Sequence, residues 1–313
     1  MASLAAHLFG SLVRARDRAY QQGWLGVARL PAPVISVGNL AVGGRGKTPT
    51  VIALGAALRQ RGLRLDVLTR GYGRAARRLE VAQTGAEEVA RVGDEPRLIA
   101  QRLQVPVLVH PDRFRAGLEG ERRFHSQLHL LDDGFQHRQL ARAFDLVLLA
   151  PQDLDDRLLP AGRLREPPTA LARASALLWL SPDSDLAGAQ RRLAAFSSAP
   201  VFLARKRPVP LPLGRPFAFC GLAQPESFWA SLAELGVAPA GRRAFGDHHR
   251  YRHSDLRALQ AAARAAGADG FVTTAKDAAN LPAGLENLHV LEIEMEIPEL
   301  PRLLQRALEA CGL

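Results

Sequence analysis

The sequence predicts an α/β protein, with a doubly wound, mainly parallel sheet followed by a second, smaller α/β domain. Three observations predict it. Short apolar runs alternate with amphipathic helical stretches between residues 34 and 150. A glycine-rich turn, GGRGKT (43–48), joins the first of those runs to the first long helical pattern. A proline-rich stretch at 201–216 then separates this region from a further alternation of strand and helix.

The elements follow in order. Val34, Ile35 and Val37 mark the first strand, and 51–61 reads as an amphipathic helix stopped by Gly62. Residues 63–69 read as a strand, RGYGR (70–74) as a turn and 79–83 as a short strand. A helix spans 94–103 with Asp94 at its start, a strand 105–110 and a helix 112–124. HLLDDG (129–134) carries the next strand into a turn, and 145–150 is another buried strand. An irregular segment at 151–168 precedes a strand at 176–180 and a helix ending near Phe196. Beyond the connector come a strand at 217–220, a helix at 227–235 and a helix opened by HSDLRAL, with Ser254 or Asp255 as its cap. GFVTTAKD and LHVLEIEMEI supply the remaining strands, and a helix follows Pro298. The expected division is 1–205 and 206–313, with the last helix free to pack back on the first domain.

A chain of 313 residues with 47% apolar content can bury two cores. Its formal net charge of +10 favours anionic partners. Aromatic residues make up only 6%, and no nucleic-acid-binding signature is present, so no nucleic-acid partner is expected. Cys220 and Cys311 stand far apart without metal-ligand spacing, which fits a reducing compartment. No apolar run reaches the roughly 18 residues of a spanning helix. At the N-terminus, Leu4, Leu8, Leu12 and Ala15 repeat at helical spacing, widened by Phe9 and Val13 and followed by Arg14, Arg16 and Arg18. That face suits either an anionic membrane surface or packing on the chain's own domain.

The turn after the first strand carries the clearest chemistry. Gly43, Gly44 and Gly46 let the backbone curl so that its N–H groups converge on an anion, and the new helix adds its positive end. Lys47 is placed to reach β- and γ-phosphates, and the Thr48 hydroxyl suits Mg²⁺. The loop runs Ala41, Val42, Gly43, Gly44, Arg45, Gly46, Lys47, Thr48, with Ala41 standing where the usual motif has its first glycine. A nucleoside triphosphate with Mg²⁺ is the expected ligand.

Other groups gather at predicted strand ends, where open α/β sheets place their chemistry. Asp132 and Asp133 close the HLLDDG strand, as metal-holding carboxylates or as turn residues. Gln136, His137 and Arg138 follow. Asp94 opens a helix, as a proton acceptor or a cap. In LLPAGRLREP (158–167), Arg163 and Arg165 can clamp phosphate and Glu166 can add a metal ligand, or the segment is a surface loop. GDHHRYRHSDL (246–256) offers Asp247, His248, His249 and His253, as metal ligands, a proton-transfer pair or a polar helix start. Lys276 and Asp277 end a later strand.

Taken together, PVISVGNLAVGGRGKTP (33–49), LTRGYGR (68–74), VGDEP (92–96), HLLDDGFQHR (129–138), LPAGRLREP (159–167), FGDHHRY (245–251) and TAKDA (274–278) resemble the tetraacyldisaccharide 4′-kinase family of lipid A biosynthesis. The resemblance implies two α/β domains with a cleft, and ATP-dependent phosphorylation of the 4′-hydroxyl of a lipid A disaccharide 1-phosphate. It implies action at the cytoplasmic face of the inner membrane, with the N-terminal helix then a fitting peripheral contact, and a monomer is the expected state. It makes Asp94 the general base with His248 its partner. It assigns Asp132 and Asp133 to Mg²⁺ and the catalytic centre, Glu166 to the metal shell, Arg165 to phosphate charge, and Tyr72 to the border of the site. His129, Ala275 and Gly246 depart from the family pattern, which carries an apolar, an acidic and a proline residue there. The competing reading is a membrane-associated P-loop regulatory ATPase without a small-molecule acceptor.

Overall fold

The computed structural model describes residues 2–71, 78–83, 89–181, 185–247 and 249–313. Tyr72 and His248 lie outside them. In chain order the elements begin with α1 (Ala2–Gln21), β1 (Val34–Asn39), α2 (Lys47–Gln60), β2 (Leu65–Thr69), β3 (Glu80–Ala82), α3 (Val89–Val92) and α4 (Asp94–Leu103). They continue with β4 (Val107–Val109), α5 (Arg113–Phe124), β5 (Leu128–Asp132), β6 (Phe144–Leu149), β7 (Ala176–Leu180), α6 (Leu186–Leu193) and β8 (Val201–Pro208). Then come β9 (Phe217–Cys220), α7 (Glu226–Glu234), β10 (Gly241–Ala244), α8 (His253–Ala265), β11 (Phe271–Thr274) and α9 (Ala275–Ala278). The last are β12 (Leu288–Leu291), β13 (Ile293–Glu296) and α10 (Leu300–Cys311).

Two compact units result. The first joins Met1–Arg205 with Met295–Leu313, and the second is Lys206–Glu294. Among the described residues the first unit's sheet has nine strands in the order β13-β8-β7-β6-β1-β5-β2-β4-β3. β1 pairs in parallel with both β5 and β6, and β2 and β7 continue the parallel array on either side. The short β3 runs antiparallel to its neighbour, β4. After β1 the chain crosses to β2 on one side, whereas β6, β7 and β8 build outward on the other. The order therefore reverses at β1, and ligands of such sheets bind beyond the strand ends at that point.

Local sequence explains why β1 and α2 form there. All six residues of β1 are buried, as expected of a central parallel strand packed on both faces. In α2 the inward positions Thr50, Val51, Leu54, Gly55 and Leu58 follow the helical repeat. Pro49 falls in the first turn, where its missing N–H leaves no bond unmade. Gly55 faces Leu103, whose Cδ1 would lie 2.6 Å from an added Cβ, so α2 and α4 approach closely because this residue has no side chain. The last helix closes the same core. Leu303, Leu304 and Ala307 of α10 are buried with Val51, Leu54 and Leu58 of α2, and truncating a leucine of this kind costs about 2–5 kcal/mol. Arg205 and Glu296 tie β8 to β13 through two bonds of 2.8 Å.

Among the described residues the second unit's sheet has four parallel strands, in the order β10-β9-β11-β12. Phe219 sits at its centre, with Phe245, Tyr251 and Phe271 edge-on around it.

Candidate active site

The loop after β1 is built by contact with a segment more than a hundred residues later. Leu40 and Ala41 are fully buried, and Ala41 bridges Leu164 in antiparallel fashion. The Val42 N–H donates to the Arg163 carbonyl at 2.8 Å, and the Arg165 N–H donates to the Leu40 carbonyl at 2.7 Å. Gly43 at φ 107° and Gly46 at φ 86° occupy backbone conformations that side-chain-bearing residues rarely adopt. Added Cβ atoms at Gly43 and Gly44 would meet nothing within 4 Å, so the curl opens outward over its glycines. Gly46 is the N-cap of α2 and gives it no side-chain cap, so the helix presents its first N–H groups to whatever fills the curl. Lys47 and Thr48 are the first two residues of that helix. Arg45 turns aside to pair with the buried Asp153.

Opposite the curl, the end of β5 presents two carboxylates in different electrostatic states. Asp133 adopts φ 53°, a strained conformation for a residue with a side chain. Its two oxygens accept from Arg165 Nη1 at 2.9 Å and Nη2 at 2.8 Å, and Lys47 Nζ lies 3.5 Å away. Partial burial alone would raise the Asp133 carboxyl, but Arg165 and Lys47 outweigh it and bring it down to about 2. Asp132, 3% exposed, is pushed up to about 7 by burial, reinforced by the nearby charges of Glu95 and Asp133. Its Oδ2 accepts from the Thr69 hydroxyl at 3.1 Å, while Oδ1 is buried with no hydrogen-bond partner among the described residues. A buried carboxylate oxygen left unmatched beside two acidic neighbours suits a hard divalent cation, which takes oxygen ligands.

Asn39 connects these groups. Its Oδ1 accepts from Lys47 Nζ at 3.2 Å and from Arg165 Nη2, and its Nδ2 donates to the Ala41 carbonyl at 2.7 Å. Gln136 Nε2 donates to the Asn39 carbonyl at 3.0 Å. Gly38, one residue earlier, allows the approach of Phe135, whose Cβ would lie 2.6 Å from an added Cβ. Curl, lysine, arginine and the Asp133 carboxylate are thus held as one bonded assembly.

The family model for the tetraacyldisaccharide-1-P 4′-kinase matches residues 2–310 of this chain. The chain belongs to that family. It is 42% identical to the tetraacyldisaccharide 4′-kinase of Koribacter versatilis over 88% of this chain and 86% of the relative. It is 37% identical to the enzyme of that name from Geobacter metallireducens, over 95% of this chain and 93% of the relative. The solved structure of LpxK from Aquifex aeolicus in complex with ATP superposes with a TM-score of 0.81 at 30% identity, covering 97% of this chain and 96% of that one.

Within this family member, the structure brings Lys47, Asp133 and Arg165 together and sets Asp132 beside them. Asp94 is the first residue of α4, whose N-cap is Gly93, so Asp94 does not itself fill the capping position. Glu166 is engaged differently from the expectation that it joins a metal shell. It is fully buried, and its two oxygens accept from Arg16 at 2.7 Å and Arg173 at 2.5 Å. His248 lies outside the described residues, as do Tyr72 and the rest of 72–77. In the second unit Asp277 is a structural tie. It accepts from the Gly221 N–H and the Tyr251 hydroxyl, both at 2.9 Å, and from the Thr274 hydroxyl at 2.6 Å. Lys276 pairs with Asp247 at 2.7 Å and His249 with Asp255 at 3.1 Å. The described residues contain no cluster of three or more metal-ligating side chains of the His, Cys, Asp and Glu types.

Sequence reasoning missed Asn39, Thr69 and Arg113. Asn39 and Thr69 share a signal, a polar residue closing an apolar strand. Arg113 follows the N-cap Asp112 of α5 and is only 8% exposed. Burial and the neighbouring Arg70 bring its guanidinium down to about 10, against the pull of Asp133 and Asp132. Burial, Arg113 and Arg142 likewise hold His137 down to about 4, neutral at physiological pH.

Proposed function

We propose that this chain is an ATP-dependent kinase that phosphorylates the 4′-hydroxyl of a tetraacyldisaccharide 1-phosphate, giving the 1,4′-bisphosphate precursor of lipid A. Family membership supports the substrate, and one observation carries the chemistry: Lys47 and Arg165 converge on Asp133 beside an open glycine curl. The curl and the first turn of α2 bind the phosphate tail through N–H groups. Lys47 and Arg165 steady the charge that spreads over the transferring group, the largest contribution a protein makes to this reaction.

Thr48 and Asp132, with Asp133, would hold Mg²⁺, which when bound neutralises phosphate charge. Glu166 is assigned no ligand role, since it has no exposure and lies between Arg16 and Arg173. Asp94 is the proton acceptor for the sugar hydroxyl, with His248 supporting it. The apolar face of α1, where Leu8 is 62% and Leu12 70% exposed, rests on an anionic membrane surface at the cytoplasmic side of the inner membrane. No helix of the described residues is long and apolar enough to cross a membrane. The protein works as a monomer.

The regulatory-ATPase reading does not fit the family match. Incubation with γ-labelled ATP and the disaccharide 1-phosphate places label on the lipid. In the same assay Asp94→Ala retains ATP binding and loses most turnover. Release of inorganic phosphate alone would contradict the kinase, and near-full turnover of Asp94→Ala would contradict the proton acceptor.

A further inference from the structure

Helix α1 is joined to the catalytic centre by a chain of charges. Glu166, fully buried, lies between Arg16 of α1 at 2.7 Å and Arg173 at 2.5 Å. Arg173 also lies 3.6 Å from Asp17 of α1, and its guanidinium covers the Phe135 ring at 4.6 Å from the centroid. Asp17 pairs with Arg138 at 2.8 Å, and Arg138 in turn covers Tyr20 of α1 at 4.7 Å. Close packing accompanies the charges. At Gly10 of α1 an added Cβ would lie 2.9 Å from Leu158, at the start of the segment that carries Arg165. The same helix thus turns Leu8 and Leu12 to the outside and Arg16 and Asp17 to the site.

A carboxylate with no exposure is tolerated only when its partners are present and its oxygens are satisfied. Glu166 therefore fixes its own backbone wherever Arg16 and Arg173 stand. The next residue back is Arg165, whose N–H is bonded to Leu40 and whose guanidinium is forked on Asp133. A displacement of α1 that withdrew Arg16 would leave a half-paired buried charge one peptide bond from the arginine of the active site.

We propose that Glu166 is a positioning residue through which α1 seats Arg165, so that the membrane-facing helix is also part of the catalytic frame. The inference rests on the reading of Arg165 as the residue that steadies phosphate charge. It assigns Glu166 a role other than metal ligation and gives α1 a duty beyond attachment.

The test is a double-mutant cycle on the full chain, assayed with substrate in detergent micelles so that recruitment to a bilayer does not limit the rate. Arg16 is part-exposed, so Arg16→Ala is expected to fold, with thermal unfolding as the check. Arg16→Ala should lower kcat about tenfold with KM for ATP unchanged, and Arg16→Lys should recover much of the loss. Glu166→Gln should reproduce the kcat loss. Added to Arg165→Ala, Arg16→Ala should cost almost nothing further. Full turnover of Arg16→Ala in micelles, or its whole penalty recurring on the Arg165→Ala background, would overturn the inference while leaving the role of Arg165 intact. Undiminished turnover of Arg165→Ala would remove both.

Discussion

Arg165 donates both of its terminal nitrogens to the two oxygens of Asp133, at 2.9 and 2.8 Å, while the same guanidinium also meets Asn39. A planar fork fits a carboxylate in this way and an ammonium does not. Arg165→Lys is therefore expected to behave as a severe change, lowering kcat by about 10²-fold or more with a smaller effect on KM for ATP. Steady-state kinetics decide this, and retention of half the parent's turnover would contradict the fork's importance.

Asp132 and His137 pull pH stability in opposite directions. The Asp132 carboxyl titrates at about 7 in the fold and at 3.8 in the unfolded chain, so between those values only the unfolded chain has released the proton. Its contribution therefore falls as pH rises from about 4 to about 7. His137, held down to about 4 from 6.5, contributes stability that is lost as pH falls across nearly the same window. The informative comparison is thus differential: Asp132→Asn should gain thermal stability relative to the parent as pH rises from about 4 to about 7. A constant difference across that range would contradict it.

His129 stands in the middle of an apolar strand yet is bonded on both sides, to Asp66 at 2.7 Å and to Glu121 at 3.2 Å. Burial pushes its imidazole down, but the two carboxylates outweigh this and raise it, favouring the charged form. His129→Leu takes from the unexposed Asp66 its 2.7 Å bond to the imidazole, with Ser126 still beside it, and should destabilise by about 3 kcal/mol. Adding Asp66→Ala should return part of that loss. Chemical denaturation measures both, and equal stability of His129→Leu and the parent would show that the bonds contribute nothing net.

Leu8 and Leu12 are the large apolar residues exposed on the described part of α1. Replacing both with Asp should release the protein from anionic vesicles in a sedimentation assay while leaving nucleotide affinity unchanged. Undiminished sedimentation would argue that another surface makes the contact.

The nucleotide curl was legible in the sequence because each of its requirements is local. Glycines permit positive φ, a strand precedes, and a helix starts at the lysine. Asp132 and Asp133 were visible for the same reason, as acids closing an apolar strand. What escaped depends on distant pairing. The bonds from Asn39 to Arg165 and from Thr69 to Asp132 span 126 and 63 residues. The partner of Glu166 on α1 lies 150 residues away, which is why its acidity read as ligation instead of an ion pair. His129 looked like an interruption of a core strand because neither of its partners adjoins it in sequence.

The first unit is interrupted by the second: β13 and α10 return to it after residue 294. On the ribosome, the segment that closes the core over α2 therefore emerges only after the whole inserted unit has been made. A nascent chain can fold its inserted lobe early, but its phosphate-binding helix stays uncovered on one side until Leu303, Leu304 and Ala307 arrive. The order of synthesis thus delays the arrival of a competent site, and a product truncated before α10 should be a poor competitor for nucleotide.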